Sequence, residues 1–364
     1  MTDDPTADLR AGYAATIGGG RPSPWREAFA EVPRHLFVPS FFRQDDRGEW
    51  RQVTALDDGY AEAVYSDIAL TTQVDANGIP NSSSSEPSTM LAMLDALGSE
   101  SGQTVFELGL GTGYNAALLA HRLGAENVTS IDVDPELVDL AARRLGEYGT
   151  RPYVTAGDGA LGCPERAPFD QVIATAALRA IHPALLEQAA VGAVIVAPIG
   201  FGIVRATVSE PGHAEGRFLP TPALFMPRRT PGKAPDFGTL REQEPERTTV
   251  ALADVLERLK FPLSLALPGY TSCSWRDEEG KVTAVGLWTD DGSTAAADAN
   301  GQARQTGSRR LWDTVEELAS AFPTGRPARE DFGITVTPDG QHLWYGQPEG
   351  ATWKQPIDVP GSAC

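Results

Sequence analysis

Three glycines and an acidic residue form the motif of this sequence with the most definite chemistry. The motif reads Glu107-Leu-Gly109-Leu-Gly111-Thr-Gly113. It lies where a short apolar strand, predicted over residues 104–108, turns into a helix predicted over residues 114–123. Glycines at such a turn allow a tight backbone path and let a ligand approach the main chain closely. The motif therefore predicts a binding site for a nucleotide-like cofactor.

Two more acidic residues follow at the ends of the next two predicted strands. Asp132 ends a strand over residues 127–133, roughly twenty residues after the glycine loop, where a carboxylate can bind both ribose hydroxyls. Asp158, in Gly157-Asp158-Gly159, can accept a hydrogen bond from an adenine amino group. Each residue also has a structural interpretation, because Asp132 can cap the helix that begins at Pro135 and Asp158 can be a turn residue.

Two classes of cofactor fit this pattern. Gly111, Gly113 and Ala116 satisfy the GxGxx(G/A) spacing of dinucleotide-binding folds. A carboxylate at Glu107, however, would attract the cationic amino or sulfonium end of S-adenosylmethionine and would repel a pyrophosphate. The combination of one acid, three glycines and two further acids favours S-adenosylmethionine, and the dinucleotide alternative stays open.

The elements that must position these residues alternate between strand and helix. Strands alternating with helices at this spacing predict an α/β fold, with a doubly wound, mostly parallel, Rossmann-like sheet. A further amphipathic helix is predicted from Pro24 to Phe37, and residues 40–80 show a mixed pattern with turn signals. The predicted helices cover residues 87–97, 114–123, 135–148 and 183–190, and the predicted strands cover residues 104–108, 127–133, 153–155, 169–175 and 193–198.

The chain is long enough for a second part after this sheet. We expect residues 1–235 to form the cofactor-binding domain with an N-terminal substrate-side segment, and residues 236–364 to form an additional α+β segment. Residues 220–235 are rich in proline and basic residues, which predicts a linker or a closing arm. Helices are predicted over residues 248–259 and 311–321, and a mobile loop over residues 290–306.

Composition excludes several classes of partner. The 364 residues carry 49 acidic and 30 basic side chains, for a net charge of −19, which is unsuited to binding nucleic acid. No run of eighteen apolar residues is present and the acidic N-terminus does not resemble a secretory signal, so we expect no membrane partner. Cys163, Cys273 and Cys364 form no CxxC pair, which fits a reducing cytoplasm. The five histidines lack metal-ligand spacing, so no metal is expected, and the oligomeric state stays open.

Taken together, several segments resemble the protein-L-isoaspartate O-methyltransferases. They are VPRHLFVP (Val32–Pro39), VFELGLGTGYNAALLA, VTSIDVD, AGDGALG, APFDQVIATAAL and VAPIG, and the resemblance spans about residues 24–227. It implies a class I methyltransferase fold, S-adenosylmethionine as cofactor with S-adenosylhomocysteine as product, and a peptide carboxylate as methyl acceptor. The residues it assigns to the cofactor are Glu107, Gly109, Gly111, Gly113, Asp132, Asp158 and Gly159.

The resemblance also implies where the methyl group is transferred. The family has a Ser-Gln-Pro or Ser-Ala-Pro element before the glycine loop, and this chain has Ser85-Glu86-Pro87 within the run NSSSSEP. Ser85 would then orient the substrate carboxylate, with Ser84 and Ser88 as neighbouring hydroxyls. For the earlier serines of the run, a flexible loop that caps the next helix is the simpler interpretation. Tyr65-Ser66-Asp67 resembles the family's Tyr-x-Asp element and would lie at the mouth of the site, although an ordinary strand end explains it nearly as well.

Two departures from the family affect the expected function. The serine run is altered, and the chain continues beyond residue 236, where PAREDFGITVTPDGQHLWYG resembles an actinobacterial subgroup that tailors ribosomally made peptides. The leading hypothesis is therefore methylation of an aspartate in a modified precursor peptide, which leads to an aspartimide or an isoaspartate. In this hypothesis residues 236–364 help to recognise the peptide substrate. The alternatives are general repair of isoaspartyl proteins, a binding module without turnover, and a small-molecule methyltransferase.

Overall fold

The N-terminal part of the chain forms short helices and a small sheet. The computed structural model describes residues 6–226 and 235–355. Up to residue 84 the elements are α1 (Ala7–Thr16), α2 (Arg26–Glu31), α3 (Arg34–Phe37), β1 (Ser40–Gln44), β2 (Trp50–Thr54), α4 (Tyr60–Val64), β3 (Leu70–Val74) and β4 (Pro80–Ser84). The four strands form an antiparallel sheet in the order β2-β1-β3-β4. The single helix predicted over residues 24–37 is wrong, because Pro33 lacks an N–H group and ends α2 before α3 begins.

The central part alternates strands and helices, as predicted. Its elements are α5 (Pro87–Leu97), β5 (Val105–Leu108), α6 (Tyr114–Leu123), β6 (Val128–Asp132), α7 (Pro135–Tyr148), β7 (Tyr153–Ala156), β8 (Phe169–Ala174), α8 (Pro183–Glu187), β9 (Ala189–Ile199), β10 (Gly202–Glu210) and β11 (His213–Pro222). The predicted bounds of α5, α6 and α7 are confirmed. Local signals explain this agreement, since α5 begins with Pro87 in its first turn and ends at Gly98 in the left-handed conformation.

The C-terminal part contains a second antiparallel sheet and the last strands of the large one. Its elements are β12 (Glu246–Arg247), α9 (Leu252–Leu256), α10 (Lys260–Ala266), β13 (Thr271–Arg276), β14 (Val282–Trp288), β15 (Thr294–Asp298), β16 (Gln302–Thr306), α11 (Leu311–Ala321), β17 (Phe332–Thr337), β18 (Gly340–Tyr345) and β19 (Ala351–Gln355). The helix over residues 311–321 is confirmed, whereas the helix over residues 248–259 shortens to α9. The mobile loop predicted over residues 290–306 is wrong, because most of these residues form β15 and β16, whose buried side chains are mainly small alanines, Ala295, Ala297 and Ala303, together with Thr294 and Gln305.

One ten-stranded sheet connects the central and C-terminal parts. Its order is β19-β18-β17-β11-β10-β9-β8-β5-β6-β7. The strands from β9 to β7 pair in parallel, which is the predicted Rossmann-like arrangement, and the strands from β9 to β19 pair antiparallel, so the sheet as a whole is mixed. Parallel strands align their carboxyl ends, and ligands of such sheets bind at that edge.

The hydrophobic core follows the sheet across the predicted division of the chain. The Phe261 ring lies 5.2 Å from that of Phe218 and 5.1 Å from that of Phe332, so residues before and after position 235 share one cluster. The boundary between residues 235 and 236 therefore does not coincide with a boundary between sheets. A role of residues 236–364 in recognising the substrate remains a prediction.

None of the described helices combines the length and the apolar character that a membrane span requires.

Substitution of Phe332 tests whether the two parts unfold together. This fully buried ring packs against four aromatic side chains, so Phe332→Ala should lower the free energy of unfolding by about 3–5 kcal/mol. Because the core is shared, urea unfolding followed by circular dichroism and by tryptophan fluorescence should give one coincident transition. Leu56→Ala, at a side chain that is 98% exposed, should change the stability by no more than about 0.5 kcal/mol. Two separate transitions, only one of them displaced, would contradict the shared core.

Candidate functional site

A cavity of about 580 Å³ lies at the carboxyl ends of the parallel strands. Its size is ordinary for a site that holds a small molecule. One wall is formed by the glycine loop and the residues that follow β6 and β8, and the facing wall by the end of β4 and the start of α5. Residues 222–226, at the end of β11 and just after it, close a third side, where the Ala177 N–H donates to the Met226 carbonyl at 2.9 Å. The predicted linker or arm lies partly here, and its residues 227–234 lie outside the described part of the chain.

The glycine loop lies against the cavity as the sequence predicts. Gly109 has a φ of 100°, and a Cβ atom there would lie 2.6 Å from the Thr175 hydroxyl oxygen, so only glycine fits. Gly109 and Gly111 line the cavity. Gly113, in contrast, does not line the cavity. It lies just before α6 and packs beside Ala141 of α7. Its role is to let the backbone turn into the helix.

Three further residues that were assigned to the cofactor also line the cavity: Asp132, Asp158 and Gly159. The Gly111 N–H donates to one Asp132 carboxylate oxygen at 2.8 Å, which ties the end of β6 to the glycine loop. The cap of α7 is Asp134, which accepts from two backbone N–H groups, so the capping interpretation of Asp132 is wrong. Asp158 accepts from the Ala160 N–H at 3.0 Å and thus combines a turn bond with a place in the cavity wall. The ribose and adenine contacts of these acids remain predictions.

Glu107 does not have the predicted position. Its side chain is completely buried and does not line the cavity, because it projects from inside β5 toward α6 and β6. Its two carboxylate oxygens accept hydrogen bonds from the Asn115 side-chain amide, at 2.7 Å, and from the Ser130 hydroxyl. Burial raises the pKa of Glu107 to about 7, although these two hydrogen bonds oppose the shift. Glu107 therefore does not reach the cavity itself, whereas its hydrogen-bond partner Asn115 does.

Asn115 is a residue that the sequence reasoning missed. Its amide nitrogen donates to Glu107, which orients the group, and its Oδ1 atom is buried without a hydrogen-bond partner in the structure. Asn115 lines the cavity, so this acceptor is available to a ligand. The ammonium group of S-adenosylmethionine is a donor of the required kind, and the Asp132 carboxylate and the glycine backbone supply further polar contacts. The residues present thus fit S-adenosylmethionine. The only signal for Asn115 in the sequence was a polar residue in the first turn of the helix that follows the glycine loop.

The serine run forms the end of a strand, and not a flexible loop. Ser82 and Ser84 are buried, and Ser83, Ser84 and Ser85 line the cavity. Ser88 does not line it, so its predicted role in orienting the carboxylate is not supported by its position.

Ser88 instead holds two neighbouring segments at the start of α5. Its hydroxyl donates to the Asp67 carboxylate and accepts from the Gly18 N–H at 2.6 Å. Asp67 itself lines the cavity, which agrees with the position expected for the Tyr65-Ser66-Asp67 element. Tyr65 is bonded to the His35 ring at 2.7 Å and supports this wall from behind.

Arg34, from the segment VPRHLFVP, lies buried directly behind the serine strand. Its guanidinium donates to the Ser84 hydroxyl at 3.2 Å and to five carbonyl oxygens at 2.9–3.3 Å, those of Val64, Ser66, Ile68, Ser84 and Ser85. Within the described residues no carboxylate forms an ion pair with it. Arg34 therefore has no direct carboxylate partner, although Asp67 and Glu86 place two acidic side chains in the wall of the same cavity.

A Rossmann-like sheet, a glycine loop and a cavity that fits a sulfonium nucleoside define a class I S-adenosylmethionine-dependent methyltransferase. Residues 23–210 match the family model described as protein-L-isoaspartate(D-aspartate) O-methyltransferase. The chain belongs to this family and is therefore an S-adenosylmethionine-dependent carboxyl O-methyltransferase.

Curated relatives agree with this assignment. The protein-L-isoaspartate O-methyltransferase of Ignicoccus hospitalis is 32% identical over 208 residues, which are 55% of this chain and 86% of the relative. That of Xanthobacter autotrophicus is 40% identical over 171 residues, which are 46% and 66% of the two chains.

A solved structure of a protein-L-isoaspartate O-methyltransferase is similar in fold over nearly the whole chain. It aligns with 94% of this chain and with all of its own, at a TM-score of 0.55 and 19% identity. Because the alignment covers most of the C-terminal part as well, an extension after residue 236 does not by itself distinguish this chain from proteins of that description. The extension therefore no longer supports an assignment to an actinobacterial peptide-tailoring subgroup.

Removal of the free acceptor in the cavity should weaken cofactor binding. We expect Asn115→Ala to raise the Kd of S-adenosylhomocysteine, which has the same ammonium group, about tenfold or more, because a hydrogen bond to a charged group is lost. Isothermal titration calorimetry measures this change. Asn127→Ala removes an amide that bonds only the Leu123 carbonyl outside the cavity and should leave the Kd unchanged. An unchanged Kd in Asn115→Ala would remove Asn115 from the cofactor site.

The buried carboxyl group of Glu107 should make stability depend on pH. Since its pKa is about 7 in the folded chain and ordinarily 4.5, its contribution is fully present below pH 4.5 and is lost as the pH rises through 7. Relative to Glu107→Gln, which stays neutral, the wild type should lose roughly 3 kcal/mol of unfolding free energy between pH 4.5 and pH 8. Urea unfolding of both proteins across this range measures the difference. A difference that does not vary with pH would show that Glu107 titrates normally.

Proposed function

We propose that this enzyme methylates the free carboxylate of isoaspartyl residues in proteins and peptides, as in protein repair. The observation that carries the proposal is the arrangement of the cavity, in which Ser83, Ser84 and Ser85 line the same space as the glycine loop and the Arg34 guanidinium bonds the Ser84 hydroxyl from behind the strand. Membership of the family supports the same substrate. The leading hypothesis from the sequence was methylation of an aspartate in a precursor peptide, and repair of isoaspartyl residues was its alternative.

The chemistry needs no general base. A peptide carboxylate is ionised at neutral pH, because its pKa is near 4. When bound, S-adenosylmethionine supplies a methyl group on a positively charged sulfur, which a carboxylate oxygen can attack directly. The work of the protein is then to align the carboxylate and to exclude water.

The serine strand suits the alignment of a carboxylate. The Ser84 oxygen accepts from Arg34, so its own hydroxyl hydrogen is free to donate into the cavity. Ser85 lines the same wall, and its carbonyl is fixed by the second terminal nitrogen of Arg34 at 3.1 Å. In this proposal both hydroxyls donate to the substrate carboxylate, while the buried guanidinium stabilises its negative charge.

The methyl ester explains how repair follows. An ester has a better leaving group than a free carboxylate, so the backbone nitrogen of the next residue attacks the ester carbonyl carbon. The C–N bond of a five-membered succinimide forms, and the methoxy group leaves as methanol with the proton of that nitrogen. Hydrolysis of the ring returns part of the chain to the normal aspartyl linkage. This step needs no residue of the enzyme.

A second candidate is methylation of an ordinary aspartate in a ribosomally made precursor peptide. The observation that favours it is Glu86, which replaces the Gln or Ala of the family's serine element. Glu86 lines the cavity, and its carboxylate accepts from the Thr89 hydroxyl at 2.6 Å. A negative charge beside the proposed carboxylate site changes which substrates are accepted.

We also propose a cytoplasmic location, in keeping with the free thiols of Cys163 and Cys273.

Two matched peptides separate these candidates. Mass spectrometry of reactions with S-adenosylmethionine should show a mass gain of one methyl group on the isoaspartyl peptide and none on its aspartyl counterpart. Ser85→Ala should lower this turnover about tenfold or more without changing the Kd of S-adenosylhomocysteine, because one hydrogen bond to a charged group is lost. Methylation of the aspartyl peptide instead would favour the tailoring reaction. Methylation of neither, with cofactor bound, would reject general repair and point to a dedicated precursor.

A further inference from the structure

A second pocket lies beside the cofactor cavity. It has a volume of about 400 Å³, and it shares Pro222, Ala223 and Leu224 with the cofactor cavity as a common wall. Its other walls come from Phe201 and from the C-terminal part of the chain, at α9, α10 and the loop before β17. The proposed chemistry leaves this pocket without a role.

The pocket is cationic, although the protein as a whole is acidic. Lys260, Arg326 and Arg329 line it, together with a single acidic residue, Glu257. Within the described residues none of the three cations forms an ion pair, whereas the chain as a whole has a net charge of −19. Three unpaired positive charges around one pocket produce a local potential that attracts an anion.

Contacts of the charged groups with aromatic rings and a carbonyl oxygen hold the three cations in place. The Arg329 guanidinium lies 5.0 Å from the centre of the Phe261 ring, and the Lys260 ammonium lies 5.3 Å from that of Phe201. Arg326 donates one bond to the Glu257 carbonyl at 3.2 Å. These contacts fix the positions of the charges and leave most of their donors available. Burial and the neighbouring Arg326 lower the pKa of Arg329. A bound anion would offset the electrostatic repulsion between these two guanidinium groups.

The common wall indicates what anion reaches the pocket. Leu224 on this wall is 76% exposed, so a ligand can extend across it from the cofactor cavity. A peptide whose reactive carboxylate lies at the serine strand has neighbouring residues that must leave the cavity past its rim. We propose that the Lys260–Arg326–Arg329 pocket binds a second carboxylate of the substrate peptide, close in sequence to the methylated residue. The inference rests on the proposed function and specifies the substrate class as acidic peptide segments.

A set of isoaspartyl peptides with one variable acidic position tests the proposal. Each peptide is amidated at its C-terminus and carries either Glu or Gln at one position, two to four residues before or after the isoaspartyl residue. In the wild type, Glu should lower KM about three- to tenfold relative to Gln in at least one position, with kcat unchanged. The advantage should disappear in 0.5 M NaCl, because salt screens exposed charges. A Gln peptide with a free C-terminus shows whether a terminal carboxylate serves equally well.

Variants separate the pocket from the rest of the surface. Arg326→Gln with Arg329→Gln should abolish the preference for Glu while leaving the Kd of S-adenosylhomocysteine unchanged, which shows that the fold is intact. Arg276→Gln with Lys281→Gln removes two exposed charges elsewhere on the C-terminal part and should leave the preference as it is.

Three results would overturn the inference in distinguishable ways. Equal KM values for all peptides of the wild type would mean that the pocket binds no carboxylate. A preference that persists in the Arg326 and Arg329 variant would place the anion elsewhere. No methylation of any isoaspartyl peptide would instead reject the proposed function, and the subsite with it.

Discussion

The substrate side of this enzyme depends on one buried charge. Arg34 is fully buried, and its donors bond six oxygen atoms that belong to two segments of chain, residues 64–68 and 84–85. A charge away from water is tolerated only when such groups surround it. The guanidinium therefore holds the Tyr65–Asp67 region and the end of β4 in a single arrangement. It also explains structurally why the segment VPRHLFVP accompanies the cofactor motifs, although it lies far from them in sequence.

The cofactor side of the cavity is formed mainly by the glycine loop and by residues at the ends of parallel strands. Parallel strands place the ends of β5, β6 and β8 at one edge of the sheet, and the bond from the Gly111 N–H to Asp132 joins two of them. Glu107 lies inside this edge and orients Asn115, which lines the cavity. A buried carboxyl group thus fixes a neutral side chain whose oxygen has no hydrogen-bond partner within the described residues. The C-terminal part lines a second pocket beside residues 222–224.

Elements with strong local signals could be predicted from the sequence. The bounds of α5, α6, α7 and α11 follow from prolines, glycines and apolar periodicity, so they need no knowledge of distant contacts. The strands β15 and β16 were missed because their buried residues are mostly alanines, which carry little strand preference.

For the site, sequence position along a strand was a better guide than residue type. Asp132, Asp158 and Gly159 lie at or just after the ends of strands, and all three line the cavity. Their contacts with the cofactor remain predictions. Glu107 was assigned from its charge and its place just before the glycine loop, and Ser88 as a hydroxyl next to Ser85, but both side chains bond other residues and do not line the cavity. Asn115 and Arg34 could not be found, because their importance comes from burial and partners that only the tertiary structure brings together.

The central claim is that β4 and the glycine loop hold substrate and cofactor on facing walls of one cavity. A crystal structure with S-adenosylhomocysteine and an isoaspartyl peptide tests it most directly. The account predicts that the peptide carboxylate bonds the hydroxyls of Ser84 and Ser85, and that the ammonium group of the cofactor product bonds Asn115. A peptide carboxylate bound away from β4, with both serines left without contact to it, would contradict the account.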